Sequence, residues 1–205
     1  MDVARPYTAI SPSVDTAVLI VLAGSSVPRS GREIARRTGR SKTGVQHVLE
    51  HLVDQGIVER LPAGNAQLYS LNRDHLLAGA VEQMANAHAD LIRRLRDAIG
   101  SWKTPAVHAS LFGSAARGDG DTHSDIDLLI VRPANLDPES EPWRAQVDAL
   151  AEDVRRWTGN NAGIVEISKA DLPRLAEEQP PVLAELRRDA IEIAGKQTKT
   201  LLRGL

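Results

Sequence analysis

The chain has 205 residues, 42% of them hydrophobic, and its 25 basic and 27 acidic side chains give a formal net charge of -2. It contains no cysteine, which excludes disulfides and cysteine-ligated zinc, and its 3% of aromatic residues argues against a stacking platform for single-stranded nucleic acid. No apolar run is long enough to cross a membrane and the first residues are not a secretory signal, so we expect a cytoplasmic protein with one moderate or two small cores.

Three helices are predicted in the first 56 residues. Val14–Ala23 is an apolar run typical of a buried helix. The segment Ser30–Thr38 opens with a capping serine and is followed by Gly39, and Ser41–Gly56 opens with a second capping serine and closes with glycine. Two helices joined by a short turn that contains glycine are typical of a helix-turn-helix.

Two alternating segments follow the third helix and predict a β-hairpin. Ile57–Leu61 and Gln67–Leu71 have the period of strands, and Pro62–Asn65 has the composition of a turn. With this hairpin as its wing, the segment 13–71 resembles the winged helix-turn-helix transcriptional regulators. We therefore predict a DNA-binding domain over residues 1–73.

Basic side chains concentrate at the start of the third helix, which in the resembling family enters the major groove. The resemblance implies double-stranded DNA as a partner, with arginines on phosphates and Gln46 as the reader of adenine. The DNA-contacting residues that we predict are Arg36, Arg37, Arg40, Ser41, Lys42, Thr43, Gln46 and His47. The alternative is a winged helix that contacts protein, with arginines that are merely solvated.

A single long helix is predicted from Asp74 to Trp102. An apolar stripe runs along it, and Asp74 is its expected N-cap. We assign residues 74–103 to a connecting helix. Its first turns either pair with the same helix of a second subunit, as a homodimer on palindromic DNA requires, or form a plain connector.

Two carboxylates on one strand predict a metal site. Asp125 and Asp127 are two residues apart within an apolar run, so both project from one face of the strand. Such a pair of anions repels unless a cation lies between its members, and carboxylate oxygens favour Mg²⁺ or Mn²⁺.

A phosphate-binding turn is predicted just upstream. Gly113 and Ser114 end a buried strand, where backbone N–H groups and a hydroxyl can approach an anion closely. Arg117 follows and can engage a phosphate through two N–H groups. The alternative for Arg117 is an ion pair with Asp119 or Asp121.

Strands and helices alternate in the rest of the chain. After the Asp125 strand we predict a helix at 142–158, a strand at 162–167, a helix at 181–188 and a strand at 190–193. This order indicates an α/β domain with a mixed sheet, so the fold class of the chain is α+β.

The Gly-Ser turn followed by Asp-x-Asp resembles the nucleotidyltransferase superfamily related to DNA polymerase beta, in its minimal prokaryotic branch. The resemblance covers residues 104–193, and we assign 104–205 to a nucleotidyltransferase-like domain. It implies a third catalytic and metal-binding carboxylate on a later strand, for which Glu166 is the candidate. Glutamate replaces the usual aspartate there, and the alternative for Glu166 is an exposed strand residue.

Together the two resemblances imply a DNA-binding transcriptional regulator fused to a Mg²⁺-dependent nucleotidyltransferase. Asp125, Asp127 and Glu166 would hold Mg²⁺ with a nucleoside triphosphate, and an acceptor hydroxyl would attack the α-phosphate. Family members modify antibiotics, proteins, tRNA and nucleic-acid ends, and some act as antitoxins beside a toxin-like helical partner; the sequence does not choose among them. The alternative is a catalytically inactive regulator that binds DNA and senses nucleotide.

Overall fold

The computed structural model describes residues 1–195 and 197, and it divides the chain into two compact units. Arg5–Ala87 forms one unit, and Met1–Ala4 joins the chain from His88 onward in the other. The predicted domain limits at residues 73 and 104 stay predictions. Within the described residues, no helix is long and apolar enough to cross a membrane.

The first unit holds four helices and a three-stranded sheet. Its helices are α1 (Val14–Ala23), α2 (Gly31–Thr38), α3 (Lys42–Asp54) and α4 (Ala78–Ala85), after a 3-10 turn at Pro6–Ala9. Its strands are β1 (Arg29–Ser30), β2 (Val58–Ala63) and β3 (Ala66–Leu71), in the antiparallel order β1-β3-β2.

Local sequence signals set the limits of these helices. The side chains of Ser13, Ser30 and Ser41 each accept a hydrogen bond from a backbone N–H of the first turn. Gly39 ends α2 in the left-handed region at φ 64°, which a residue with a side chain rarely adopts. The predicted second helix is therefore confirmed at both ends, and α3 ends at Asp54, close to the predicted stop at Gly56.

The prediction of one helix from Asp74 to Trp102 is wrong. The structure has two helices, α4 and α5 (Ala87–Gly100), separated at Asn86. Asparagine has low helix propensity, and the helices on its two sides serve different cores. Asp74 caps neither of them, because residues 74–77 form turns.

The second unit is built on a four-stranded mixed sheet in the order β6-β5-β4-β7. Its strands are β4 (His108–Phe112), β5 (Ile126–Arg132), β6 (Ala162–Ser168) and β7 (Ile191–Gly195). Strands β5 and β6 run parallel, and the other two pairs are antiparallel. Its helices are α5, α6 (Gly113–Arg117), α7 (Glu141–Thr158), α8 (Leu172–Glu178) and α9 (Pro181–Asp189), with a 3-10 turn at Lys169–Asp171.

Each face of this sheet buries its own core. Leu128 and Ile130 of β5 pack with side chains of α5 and α7 on one face. Leu129 of β5 packs on the other face with Leu183 and Leu186 of α9. Asp127 has the parity of Leu129 and so lies on the face that α9 covers.

Candidate functional site

Asp127 lies at the start of β5 and Asp125 directly before it, and both are close to a glycine of β6. Gly163 is paired in register with Asp127. A Cβ added at Gly163 would lie 2.7 Å from Oδ1 of Asp127 and 3.7 Å from Cβ of Asp125. The structure therefore brings the two predicted carboxylates together on one face.

The predicted phosphate turn adjoins the same carboxylate. Phe112 pairs with Asp127, so β4 ends beside it and the chain turns at Gly113 with φ 67°. A Cβ at Gly113 would lie 2.5 Å from Oδ2 of Asp127. Glycine is required at this position both for the left-handed conformation and for the close approach.

Ser114 follows in α6 and contacts the loop that leads to the carboxylates. A Cβ added at Gly120 would lie 3.0 Å from Oγ of Ser114 and 3.5 Å from Cβ of Ser124. Gly113, Ser114 and the two aspartates are thus packed into one corner of the second unit.

The guanidinium of Arg117 is held by two carboxylates. It donates to Asp119 through Nε at 3.1 Å and to Asp189, the last residue of α9, through Nη1 at 2.9 Å. Hydrogen bonds to Asp189 and then Asp119 raise the pKa of Arg117. The sequence allows Arg117 either a phosphate contact or an ion pair with Asp119 or Asp121. The structure shows ion pairs with Asp119 and with Asp189.

Glu166 does not join the aspartates. It pairs in register with Ile130, so its side chain lies on the sheet face opposite to Asp127. There it accepts hydrogen bonds from Trp143 Nε1 at 3.0 Å and Arg144 Nη1 at 3.3 Å, and it pairs with Arg132 Nε at 3.1 Å. The assignment of Glu166 as the third carboxylate is corrected by this register.

The environment of Asp127 favours a bound cation. Burial raises the pKa of its carboxyl, and the negative charges of Asp125 and Glu185 raise it further, against an opposing effect of Arg117. A divalent cation between the two aspartates would offset both the burial and the repulsion.

The two aspartates fit a Mg²⁺ ion whose remaining ligands are waters and phosphates. Within residues 1–195 and 197, no three His, Cys, Asp or Glu side chains are grouped so as to hold a metal ion. Mg²⁺ commonly binds one or two carboxylates and completes its shell with waters and substrate phosphates. Asp125 and Asp127 can supply such a site, and Gly113 and Gly163 leave room for the Asp127 carboxylate in its present position.

The predicted DNA-contacting residues lie on the exposed surface from the last turn of α2 to the first turns of α3. Val45 and Leu49 point into the core of the first unit, whereas the predicted contact residues on this helix are exposed. Exposed on this surface are Arg36, Arg37, Arg40, Ser41, Lys42, Thr43, Gln46 and His47. Arg37 also pairs with Glu33 at 3.2 Å, a contact that phosphate would have to displace.

Gln46, the predicted reader of adenine, has partners within the protein. Its Nε2 donates to Glu50 at 3.0 Å and to the hydroxyl of Tyr69 at 3.4 Å. A bidentate contact to adenine through this amide requires one of these two hydrogen bonds to be exchanged.

Two residues at this site were missed by sequence reasoning. Gly163 has no functional side chain, and only its pairing in register with Asp127 places it at the site. Asp189 is 72 residues from Arg117, and its side chain is 8% exposed. Its position directly before a predicted strand was the available signal, but no local spacing joins it to Arg117.

Two family models match the chain. Residues 13–72 match the sugar-specific transcriptional regulator TrmB, and residues 92–179 match the nucleotidyltransferase domain. No curated protein matches.

Several solved structures contain a similar segment. A variant of ZitR from Lactococcus lactis is 20% identical with a TM-score of 0.34, over 42% of this chain and 57% of that one. The homodimeric winged helix-turn-helix domain of a possible ArsR-family regulator from Mycobacterium bovis is 26% identical with a TM-score of 0.30, over 47% and 83%. Human N-acetylserotonin methyltransferase is 17% identical with a TM-score of 0.29, over 44% and 29%. This chain spans less than two thirds of the length of the first, and the assignment of both domains rests on the family models.

Proposed function

We propose that this chain, a winged helix-turn-helix DNA-binding domain joined to a nucleotidyltransferase domain, is a transcriptional regulator that binds a nucleoside triphosphate without transferring its nucleotidyl group. One observation carries the second half of this proposal. Position 163, which faces Asp127, is glycine, and the nearest acidic residue of β6 lies on the opposite face.

Asp125 and Asp127 would hold Mg²⁺, and Gly113 and Ser114 would receive the phosphates. The ion would neutralise the two carboxylates and the charge of the triphosphate. The missing side chain at Gly113 lets the backbone of this turn come close to the Asp127 carboxylate, so a phosphate bound at the turn would lie next to the metal. Binding therefore needs only residues that the site has.

Transfer needs more than binding. An attacking hydroxyl must lose its proton and be aligned with the α-phosphate, a task that a further carboxylate next to the metal ions can perform. On the other face of the sheet, the Glu166 carboxylate accepts a hydrogen bond from Trp143 and is ion-paired with Arg132 and Arg144. The proposed role of the second unit is to sense nucleotide, and that of the first is to bind DNA.

The test is to measure binding and turnover on the same sample. The full chain is mixed with Mg²⁺, duplex DNA and each nucleoside triphosphate labelled at the α-phosphate. We expect nucleotide binding with no release of pyrophosphate and no transfer of label to protein or DNA. Pyrophosphate release that disappears in Asp127→Ala would contradict the proposal and identify a transferase. Equal DNA binding by wild type and by Arg40→Ala with Lys42→Ala would contradict the proposed DNA surface.

A further inference from the structure

The chain passes between the two units twice, and the residue at each passage is hydrogen-bonded next to the proposed nucleotide site. One passage directly follows Ala4, and the other directly precedes His88. The backbone N–H of Ala4 donates to the carbonyl of Gly120 at 3.1 Å, and Nε2 of His88 donates to the carbonyl of Ala115 at 2.7 Å. Both acceptors lie in the segment 114–124, which joins the phosphate turn to the aspartate pair.

Residues 1–4 are anchored in the second unit. The side chain of Val3 is 2% exposed and belongs to the core that contains Leu91 and Leu95 of α5. The backbone N–H of Val3 donates to the carbonyl of Gly120 at 2.9 Å, so this carbonyl accepts from two successive residues. A buried apolar side chain and two backbone hydrogen bonds thus fix this segment on the loop that follows α6.

The same loop is in close contact with Ser114 of the phosphate turn. Gly120 is buried, and a Cβ added there would lie 3.0 Å from Oγ of Ser114. The backbone N–H of Asp119 donates to the carbonyl of Ser114 at 3.1 Å. A movement of Ser114 therefore reaches Gly120, the residue that holds Val3 and Ala4.

Helix α6 connects the aspartates to the other anchor. Gly113, its first residue, is so close to Asp127 that a Cβ added there would lie 2.5 Å from Oδ2. Ala115, two residues later, is fully buried and accepts the hydrogen bond from His88. Because a close-packed interior transmits a displacement, a cation that repositions the Asp127 carboxylate would shift Ala115 against His88.

We propose that these two anchors couple the two sites, so that a bound nucleotide changes the affinity of the first unit for DNA. This coupling rests on the proposed function, because it needs a bound nucleotide and bound DNA. A nucleotide at Ser114 fixes the positions of His88 and of residues 1–4, and these are the ends of both segments that enter the DNA-binding unit. Coupling between two sites is reciprocal, so DNA changes the affinity for nucleotide by the same factor.

The test measures both affinities of the full chain, each with and without the other ligand. A fluorescent duplex DNA is titrated by anisotropy in Mg²⁺ alone and then with ATP, GTP, CTP or UTP. We expect at least one nucleotide to change the dissociation constant for DNA by about fivefold or more. The reverse titration, of that nucleotide into the protein saturated with DNA by calorimetry, should give the same factor.

The aspartate variant distinguishes coupling from competition. A triphosphate could weaken DNA binding by occupying the basic surface of α3, and this effect would not need the aspartates. In Asp125→Ala with Asp127→Ala, we therefore expect the nucleotide to leave the dissociation constant for DNA unchanged. An equal effect of nucleotide in this variant and in wild type would overturn the proposal.

His88 is tested by one disruptive and one conservative substitution. His88→Ala removes the bond to Ala115 and should reduce the coupling factor to about twofold or less. His88→Gln should retain the coupling, because the side-chain amide of glutamine can donate from nearly the same place as Nε2 of histidine. Asp97→Ala, at a side chain of the same helix that is 71% exposed, is the matched control and should couple like wild type.

The second anchor is tested separately, so that the proposal does not depend on one variant. Val3→Ala removes two buried methyl groups, which loosens residues 1–4 from the core and should lower the coupling factor. Val27→Ala, at a valine that is 58% exposed, is its control. Each variant is first titrated with nucleotide and with DNA alone, so that a misfolded protein is recognised by the loss of both affinities.

The outcomes separate the coupling from the proposed function. If wild type binds no nucleotide or no DNA, the proposed function is contradicted and the coupling with it. If wild type binds both and neither changes the dissociation constant of the other by more than about twofold, the proposed function stands and the coupling is contradicted. A coupling factor that stays at the wild-type value in both His88→Ala and Val3→Ala would contradict the two anchors.

Discussion

At the scale of single residues, the room around Asp127 decides what the site can hold. Gly163 of β6 and Gly113, the first residue of α6, approach its two carboxylate oxygens. A side chain at either position would force the carboxylate away from its present place. The two glycines are therefore part of the proposed metal site although neither can bind a metal through a side chain.

Gly163→Ala tests this directly. Its Cβ would lie 2.7 Å from Oδ1 of Asp127, and since that atom ends a flexible side chain, the carboxylate should turn away with little loss of stability. We expect Mg²⁺-dependent nucleotide binding about 10- to 100-fold weaker by calorimetry, with an almost unchanged Tm. Gly79→Ala, whose Cβ meets nothing within 4 Å, is the matched control. Wild-type affinity in Gly163→Ala would show that Asp127 does not bind the metal.

Asp189 gives a prediction about pH. Hydrogen bonds from Arg188 and Arg117 lower the pKa of Asp189 from 3.8 to about 2. Because the folded pKa is below the unfolded one, the charged carboxylate stabilises the fold above pH 3.8, and this contribution is lost as the pH falls towards 2. Urea unfolding should show Asp189→Asn less stable than wild type at pH 6, with a gap that closes between about pH 4 and pH 2.

A matched comparison separates this effect from general acid instability. Asp90→Asn removes an exposed partner of Arg93, so its stability difference should be small at every pH. A gap for Asp189→Asn that stays constant from pH 6 to pH 2 would contradict the assignment.

Sequence reasoning worked at this scale where the chemistry was local. Gly113, Ser114, Asp125 and Asp127 were predicted together, and the structure brings them together. The role predicted for Glu166 is wrong because the sequence of β6 does not fix its register against β5. A difference of one residue in register moves a side chain to the other face of the sheet. Arg117 has a partner on a distant helix, which no local pattern could identify.

At the scale of elements, α3 presents its first turn to solvent. Arg40 and Lys42 flank the N-cap Ser41, and all three are exposed. Arg40→Ala with Lys42→Ala should weaken duplex DNA binding and reduce the slope of log affinity against log salt by about 2, since each phosphate contact contributes about 0.9. Fluorescence anisotropy over a salt series measures both quantities.

The control for this prediction removes two exposed arginines elsewhere. Arg93→Ala with Arg155→Ala makes the same change in net charge on helices of the other unit. An equal loss of DNA affinity in the two double variants would mean that overall charge, rather than α3, governs binding.

Helix α9 is held on the sheet by buried leucines. Leu183 is 1% exposed and packs in the core that lies on the Asp127 face. Leu183→Ala should lower the free energy of unfolding by about 2–5 kcal/mol, measured by urea denaturation. Leu76→Ala, at a side chain that is 95% exposed, should change it by less than about 0.5 kcal/mol. Similar effects of the two substitutions would contradict the packing of α9.

The elements that the sequence predicted best are those with strong end signals. Capping serines and Gly39 defined α2, and the hairpin and the α7 helix were also found. The short strand β1 and the helix α8 were missed, because two residues have no period and α8 follows β6 without a loop rich in glycine. The break at Asn86 was missed because the apolar stripe continues across it although its two halves belong to different cores.

At the scale of the whole molecule, two units with separate cores carry two proposed functions. The first unit has the exposed basic surface of α3, and the second has the aspartate pair. The composition had indicated one moderate or two small cores, and the structure has a core in each unit. What the composition could not indicate is which helix joins which core, since that depends on tertiary packing.

Hydrogen exchange should separate the two units. With Mg²⁺ and a nucleoside triphosphate, amides of β4, α6 and β5 should gain protection, because the proposed ligand contacts Gly113, Ser114 and the aspartates. Duplex DNA should instead protect the start of α3. If the nucleotide protected amides of α3 and none from β4 to β5, it would bind the first unit, which would contradict the proposed site.

The most direct test of the account is a calorimetric titration of each nucleoside triphosphate with Mg²⁺ into wild type and into Asp125→Ala with Asp127→Ala. We predict saturable binding of at least one nucleotide to wild type, lost in EDTA and lost in the double variant. No binding to wild type at millimolar concentration, or equal binding to both proteins, would contradict a metal-dependent nucleotide site at these aspartates.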